Sequence, residues 1–157
     1  MKYHEVVPAP LWLKLVTVVA ILAFAVPIGT TAGLSTMGTG EATIFYLFMS
    51  LGLVTMLVVA INFLSLEIRI TDDRVRFAYG WFSKELPVKE LSLVGVEKYN
   101  WLTYGGWGLR VSTKGRRAWS MPGVAAGVAI RTSEKGKPRS YFVSSRSPAE
   151  LAAAIKG

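Results

Sequence analysis

The sequence contains no cysteine and a single histidine, His4, in 157 residues. Without cysteine the chain has no disulfide, no thiolate metal ligand and no thiol nucleophile. One histidine also excludes a histidine-rich metal cluster and a catalytic site built around an imidazole. Glycine-rich nucleotide-binding motifs and a Gly-Lys-Ser/Thr phosphate loop are absent as well. We therefore expect no catalytic residues, no metal site, no cofactor and no enzymatic activity.

Charged residues are scarce in the first 65 positions, which hold only Lys2, Glu5, Lys14 and Glu41. The whole chain has 18 Lys and Arg against 10 Asp and Glu, so its net charge of +8 arises entirely after residue 65. Hydrophobic residues make up 52% of the sequence, and the mean hydropathy is +0.40. This distribution predicts that one part of the chain lies in lipid and that the other part has a basic surface.

Two apolar segments predict membrane-spanning helices. Residues 42–66 carry no charge over 25 positions, and about 20 apolar residues are enough to cross a hydrocarbon core. Residues 11–28 form a shorter segment, in which Lys14 is expected to extend its ammonium group to the lipid headgroups beside Trp12. We predict a two-helix transmembrane anchor in residues 1–65, with helices at about 11–28 and 42–65. Trp12 and Lys14 are its predicted anchors at the membrane interface.

The charge pattern also predicts how the anchor is oriented. The connecting loop, residues 29–41, has no Lys or Arg, whereas basic residues precede the first helix and follow the second. By the positive-inside rule the loop is extracytoplasmic and both termini are cytoplasmic. A cleaved signal peptide is the alternative for the first 30 residues, and we expect the segment to be retained. Small residues such as Gly52 permit close helix packing, within the hairpin or between protomers.

The chain after residue 65 alternates apolar and polar residues, which is typical of strands. Turn residues separate the alternating segments. The sequence Ser147-Pro148-Ala149-Glu150 has the form of a capping box and predicts one short C-terminal helix. We predict seven strands, at about residues 66–71, 74–81, 91–98, 109–113, 117–121, 124 or 127 to 132, and 140–144.

Three phrases of this region resemble bacterial membrane proteins with a pleckstrin-homology-like (PH-like) domain. They are Tyr104-Gly-Gly-Trp-Gly-Leu-Arg110, Gly127-Val-Ala-Ile-Arg131 and Tyr141-Phe-Val-Ser-Ser-Arg-Ser-Pro-Ala-Glu-Leu151. The resemblance implies a small α+β domain over residues 66–157, in which a seven-stranded antiparallel barrel or sandwich is capped by the C-terminal helix. It also implies location in a prokaryotic cytoplasmic membrane, and binding or assembly rather than catalysis, since some such domains form rings of identical subunits.

Basic residues cluster at the predicted hairpin ends. Each Lys or Arg that reaches an anionic leaflet contributes about 1 kcal/mol, and the attraction falls off over about 10 Å. The alternative is that these residues are solvated and keep the sheet edges from aggregating. The candidate contacts to lipid headgroups are Arg74, Arg76, Lys114, Arg116, Arg117, Lys135 and Lys137.

Aromatic residues concentrate around a Gly-Gly pair after the third predicted strand. Trp101, Tyr104 and Trp107 are the candidate protein interface, because aromatic loops make good anchors. The alternative is that the rings fill the small core. We expect core positions for Trp81 and Trp119 and favour one for Trp107, whereas Trp101 and Tyr104 are expected to contact a partner or the bilayer.

These features together predict a membrane-anchored scaffold or accessory subunit. The second helix runs directly into the first predicted strand, so the domain is expected to stay at the membrane surface. Its expected partners are the lipid bilayer and either copies of itself or another membrane protein, with no nucleic acid and no small-molecule substrate. The alternative is a sensor of anionic headgroups that acts through the basic hairpin ends.

Overall fold

The computed structural model describes residues 2–31, 38–134 and 136–157, except the side chains of residues 31 and 93. The chain divides into two compact units. The helical unit is Pro10–Leu64, and the sheet unit combines Met1–Ala9 with Ser65–Gly157. This division differs from the predicted one, in which residues 1–65 all belonged to the anchor. The first nine residues instead form part of the domain that follows the helices.

The helical unit consists of two long apolar helices, α1 (Leu11–Thr31) and α2 (Thr39–Phe63). They contain candidate membrane spans of 20 and 25 residues with mean hydropathies of 2.3 and 2.5. Only 6% and 0% of the residues in these windows are buried within the structure. Helix α1 continues past its predicted end at residue 28 and includes Pro27. Residues 32–37 of the predicted connecting loop, 29–41, lie outside the described residues.

The two helices pack closely at Gly52. A Cβ atom at this position would lie 2.3 Å from the Phe24 ring of α1, well inside van der Waals contact. The absence of a side chain therefore lets the ring of one helix approach the backbone of the other. Of the two roles that the sequence left open for Gly52, the structure assigns packing within the hairpin.

The first sheet of the sheet unit is antiparallel and has four strands, in the order β1-β2-β3-β4. Strand β1 lies before the helical unit in sequence, and it pairs with β2, which lies after it, so that Val7 is opposite Leu66. The pairing then continues into β3, with Ile68 opposite Phe77. The strands are β1 (Tyr3–Pro8), β2 (Ser65–Ile70), β3 (Arg74–Tyr79) and β4 (Phe82–Pro87).

The second sheet has five strands in the order β5-β8-β9-β7-β6. All its neighbours are antiparallel except β7 and β9, which run parallel. A single helical turn, α3 (Trp101–Tyr104), precedes β6, and helix α4 (Pro148–Lys156) ends the chain. The strands are β5 (Leu91–Lys98), β6 (Gly108–Val111), β7 (Arg117–Ser120), β8 (Ala126–Glu134) and β9 (Lys137–Ser144).

The architecture confirms a sheet-rich domain with a C-terminal helix and corrects the predicted barrel. The two sheets are open, they contain nine strands in the described residues, and one pair is parallel. Strands β1 and β4 were not predicted. Helix α4 buries Leu151 and Ile155, four residues apart on one face. Its N-cap Ser147 acts through its backbone carbonyl, which accepts from the Leu151 amide at 3.0 Å, and not through its hydroxyl.

Aromatic side chains join the two sheets. The Trp119 ring packs against Phe77 at 5.1 Å and stacks on Tyr79 at 5.8 Å, measured between ring centroids. Tyr141 also lies 5.8 Å from Phe77. All four side chains are buried, and aromatic burial of this kind contributes strongly to a small core. The structure therefore confirms the predicted core position of Trp119.

Candidate functional site

The first sheet has two distinguishable ends. Pro8 pairs with Ser65 at one of them. Residues 9 and 10 connect this end to α1, and Leu64 alone connects it to α2. The β3–β4 turn, Gly80–Trp81, lies at the same end, because β3 runs antiparallel to β2 and Glu67 is opposite Ala78. We call this the helix-joined end, and the opposite end, with the β2–β3 turn, the distal end.

Two of the predicted headgroup contacts lie toward the distal end. Ser65 and Ile70 are five residues apart along β2, which is a distance of about 17 Å. Arg74 lies beyond Ile70, after the β2–β3 turn. Arg74 donates to Glu85 at 3.0 Å, and this hydrogen bond raises the pKa of its guanidinium. Arg76 lies 3.7 Å from the same carboxylate. Both arginines therefore have an acidic partner on the adjacent strand.

Two contacts show which ends of the second sheet lie beside the helix-joined and distal ends of the first sheet. Tyr79, at the helix-joined end of β3, donates its hydroxyl to the carbonyl of Ser120 at 2.7 Å, and Ser120 is opposite Gly108. Further along, Lys84 forms an ion pair with Glu134, which precedes the β8–β9 turn. The start of β6 thus lies toward the helix-joined end, whereas the β6–β7 and β8–β9 hairpin tips lie toward the distal end.

The basic residues of these two hairpin tips differ in their surroundings. Arg116 donates to both oxygens of Glu97, at 3.0 and 2.8 Å, and lies 5.8 Å from the Tyr104 ring centroid. Lys114 and Lys137 are exposed. Lys135 lies outside the described residues. Of the described tip residues, Arg116 is therefore paired, and Lys114 and Lys137 are open to solvent.

A groove of about 340 Å³ lies between β4 and β6, the outermost strands of the two sheets. Its floor is formed by the buried aromatic rings of Trp119 and Tyr141. Its walls are apolar side chains that remain exposed, namely Phe82 from β4 and Leu109 and Val111 from β6. The cationic side chains that line it are Lys84, Arg110 and Arg117.

The groove retains positive charge. Lys84 is paired with Glu134, which also accepts from the Tyr141 hydroxyl at 3.0 Å. Burial raises the pKa of Glu134, but the hydrogen bonds from Lys84 and Tyr141 outweigh it, so the pKa lies below its usual value. The same bond raises the pKa of Lys84. Arg117 forms no salt bridge with any residue that the structure describes.

The predicted aromatic interface is divided by burial. Asn100 caps α3 by accepting from the Thr103 amide at 3.2 Å, and Gly105, with φ of 68°, ends it in the left-handed conformation. Trp101 and Trp107 are both exposed, with ring centroids 6.2 Å apart. Tyr104 is only 5% exposed and packs in the second sheet. The expectation that Tyr104 presents a surface is therefore not met, because α3 turns its ring inward.

Further aromatic and aliphatic side chains are exposed at positions that the sequence pattern does not indicate. Trp81, which we expected in the core, is 70% exposed at the β3–β4 turn. Leu102, on α3, is 83% exposed. The alternation along β3 predicted an inward Trp81, but the strand ends at Tyr79 and the turn changes the direction of the next side chain. In the helical unit, Trp12 and Lys14 are exposed in the first turn of α1.

The described residues contain no group of three His, Asp or Glu side chains that could hold a metal ion. The geometry contains an apolar groove with cations between β4 and β6, and a separate set of exposed tryptophans. No protein-family model matches the chain, and no curated protein or solved structure matches it either.

Proposed function

We propose that the protein is a two-pass membrane protein whose sheet unit binds an extended, acidic segment of another membrane protein in the groove between β4 and β6. In this role it is a scaffold or accessory subunit of a prokaryotic cytoplasmic membrane, with both termini on the cytoplasmic side. The observation that carries the proposal is the apolar, cation-lined groove between β4 and β6, each of which lies at an edge of its sheet.

The pairing of β1 with β2 supports the proposed topology. These strands flank the two apolar helices in sequence, and their register runs from Tyr3 opposite Ile70 to Pro8 opposite Ser65. A chain that leaves the sheet at Pro8 and returns at Ser65 must cross a membrane twice or not at all. The basic residues of the sheet unit favour the cytoplasmic side by the positive-inside rule.

Strand addition is the recognition mode that suits this groove. Within the described residues, β4 pairs only with β3 and β6 pairs only with β7, and strands at a sheet edge can accept an added strand. Phe82, Leu109 and Val111 offer apolar contacts to alternate side chains of an extended segment. Main-chain hydrogen bonds would supply affinity, and the side-chain contacts would supply selectivity.

Charge favours a different protein over a second copy of this chain. Arg110 and Arg117 line the groove, while Lys84 is already neutralised by Glu134. The chain itself carries a net charge of +8, so two copies repel at long range. An acidic segment instead complements the groove.

The relation to PH-like domains stays a proposal. An antiparallel four-stranded sheet, a second sheet and a C-terminal helix support it. The parallel pair β7–β9 and the strand β1 that precedes the helices depart from the predicted seven-stranded antiparallel arrangement.

Site-specific photo-crosslinking in native membranes tests the groove. A photoreactive residue replaces Val111 on β6, and the control replaces Val96 on β5, since both valines are exposed on edge strands of the same sheet. We expect a product from position 111 alone, whose crosslinked peptide is acidic and apolar and whose yield falls with Arg117→Glu. Equal yields at both positions, or no product, would overturn the proposal. A product of twice 17.1 kDa would replace it with self-association.

A further inference from the structure

Trp81 occupies an unusual position for a large apolar side chain. It lies in the two-residue turn between β3 and β4, and 70% of its surface is exposed. Gly80, with φ of 50°, adopts the left-handed conformation that such tight turns require. Small polar residues normally occupy a solvated turn. In this turn the chain instead has a tryptophan.

The turn lies at the helix-joined end of the first sheet. Ser65 begins β2 at this end, and β3 reaches it at Tyr79. The connections to the helices are Ala9–Pro10 on one side and Leu64 on the other. At no more than about 3.6 Å per residue, connections of this length give the chain little freedom to move this end away from the helix termini.

A second exposed apolar group lies toward the same end. Trp107 immediately precedes Gly108, which is opposite Ser120, and the Ser120 carbonyl accepts from Tyr79. Trp101 lies 6.2 Å from Trp107, between ring centroids, and Leu102 beside it is 83% exposed. The exposed tryptophans of the sheet unit are therefore found on one side of it, and the basic hairpin tips are found on the other.

We propose that Trp81, Trp101, Leu102 and Trp107 insert into the interfacial layer of the bilayer that α1 and α2 cross, and that they dock the sheet unit on the membrane. The proposal rests on the membrane topology of the proposed function. Indole rings favour the headgroup level because they combine an apolar body with a polar N–H group. The ligand is a lipid surface, and the contact is apolar instead of a contact between arginine and phosphate.

The four side chains of this group are uncharged, and the Arg110 guanidinium beside them donates to the Trp107 carbonyl at 3.0 Å, which gives the proposal a distinctive consequence. Headgroup attraction weakens with ionic strength, since salt screens exposed charges over about 10 Å. Insertion of indole and leucine side chains depends on buried apolar area, which salt does not weaken. Docking by the aromatic group should therefore persist unchanged in molar salt, whereas docking by the basic tips should be lost.

Tryptophan fluorescence in vesicles tests the insertion. The chain has five tryptophans, and variants that retain one of them, with Phe at the other four, are reconstituted in phosphatidylcholine containing lipid brominated near the headgroup. We expect Trp81 to be quenched several-fold, to the extent of Trp12 in α1, whereas the buried Trp119 keeps its emission. Quenching of Trp81 by aqueous iodide, with none by brominated lipid, would overturn the docking proposal while Trp12 still reported a membrane helix. Loss of quenching at Trp12 would instead refute the membrane topology.

Spin labelling provides a second measurement that leaves the core tryptophans in place. Because the chain has no cysteine, Trp81→Cys and Asp72→Cys each give one labelling site, at the helix-joined and distal ends. We expect the label at position 81 to collide with dissolved oxygen several-fold more often, relative to a water-soluble nickel chelate, than the label at position 72, in low and in molar salt alike. Equal collision ratios would contradict insertion.

Discussion

Glu5 connects the N-terminal strand to the end of the chain, and its replacement tests whether β1 belongs to the sheet unit. Its Oε1 atom accepts from the Arg146 amide at 2.7 Å. Its Oε2 atom accepts from the Ser145 hydroxyl at 2.6 Å and from the Tyr3 hydroxyl at 2.9 Å. Burial, together with the hydrogen bond between Tyr3 and Glu5, raises the pKa of the Tyr3 hydroxyl to about 12. One carboxylate on β1 thus fixes the segment that leads into α4.

The expected cost of Glu5→Ala follows from these three bonds. A hydrogen bond to a charged group contributes roughly 1.5–3 kcal/mol. Glu5 is half-buried and Arg146 is exposed, so water replaces part of the lost hydrogen bonding. We expect a total loss of about 2–3 kcal/mol for the local unfolding of β1. Glu5→Gln should give a smaller loss, because its amide oxygen still accepts.

Hydrogen exchange of the protein in lipid nanodiscs measures this loss directly. At about 1.4 kcal/mol per tenfold change, the amides of β1 and of residues 145–147 should exchange roughly 30- to 150-fold faster in Glu5→Ala. The control is Glu90→Ala, which removes an exposed carboxylate elsewhere in the sheet unit. Unchanged exchange in β1, with Glu90→Ala also unchanged, would refute the assignment of a structural role to Glu5.

Three further predictions concern the sheet unit. Gly127→Ala should destabilise the sheet unit by about 1–3 kcal/mol, because a Cβ atom would lie 2.1 Å from the Val143 carbonyl oxygen. The control is Gly95→Ala, whose Cβ atom would meet nothing within 4 Å. Urea unfolding measures the stability of both variants, and equal losses would contradict the prediction. Tyr104→Phe should leave stability unchanged or raise it, because the buried hydroxyl has no hydrogen-bond partner in the described structure, and a clear loss in the same assay would disprove the reasoning. The pKa of Glu134 in the folded state is lowered from 4.5, so its ion pair with Lys84 stabilises the fold above pH 4.5 and is lost as pH falls through the folded-state pKa. Lys84→Gln should therefore lose less stability than the parent protein between about pH 5 and pH 3. Identical slopes of stability against pH in the two proteins would count against this prediction.

Local patterns explain which elements could be predicted. The apolar helices α1 and α2 and the hairpin of β2 and β3 follow from runs and alternations that are complete within the segment. Strand β4 was missed because Phe82–Pro87 has only two apolar side chains in alternating register, of which Leu86 alone is buried. A strand with so few apolar residues does not show the alternation of apolar and polar side chains from which strands are predicted.

Nonlocal pairing explains the larger differences. Strand β1 is six residues long and finds its partner across the whole helical unit, with Tyr3 opposite Ile70. Similarly, β7 pairs in parallel with β9, and no local pattern distinguishes this arrangement from an antiparallel one. The burial of Tyr104 and the exposure of Trp81 have the same origin. In each case a neighbouring turn sets the direction of the side chain, and the local sequence pattern does not show that direction.

The insertion of the helices between β1 and β2 has a consequence for assembly. Tyr3–Pro8 leaves the biosynthetic machinery before either helix, but its partner Ser65–Ile70 follows both. If only one helix crossed the membrane, the two strands would be on opposite sides and the first sheet would lack an edge strand. In the proposed topology, pairing of β1 with β2 therefore requires that both helices cross the membrane. Glu5 adds to this dependence, because its contacts with Ser145 and Arg146 form only after synthesis of the last strand. In the proposed topology, the first sheet therefore gains its edge strand β1 only when both helices have crossed the membrane.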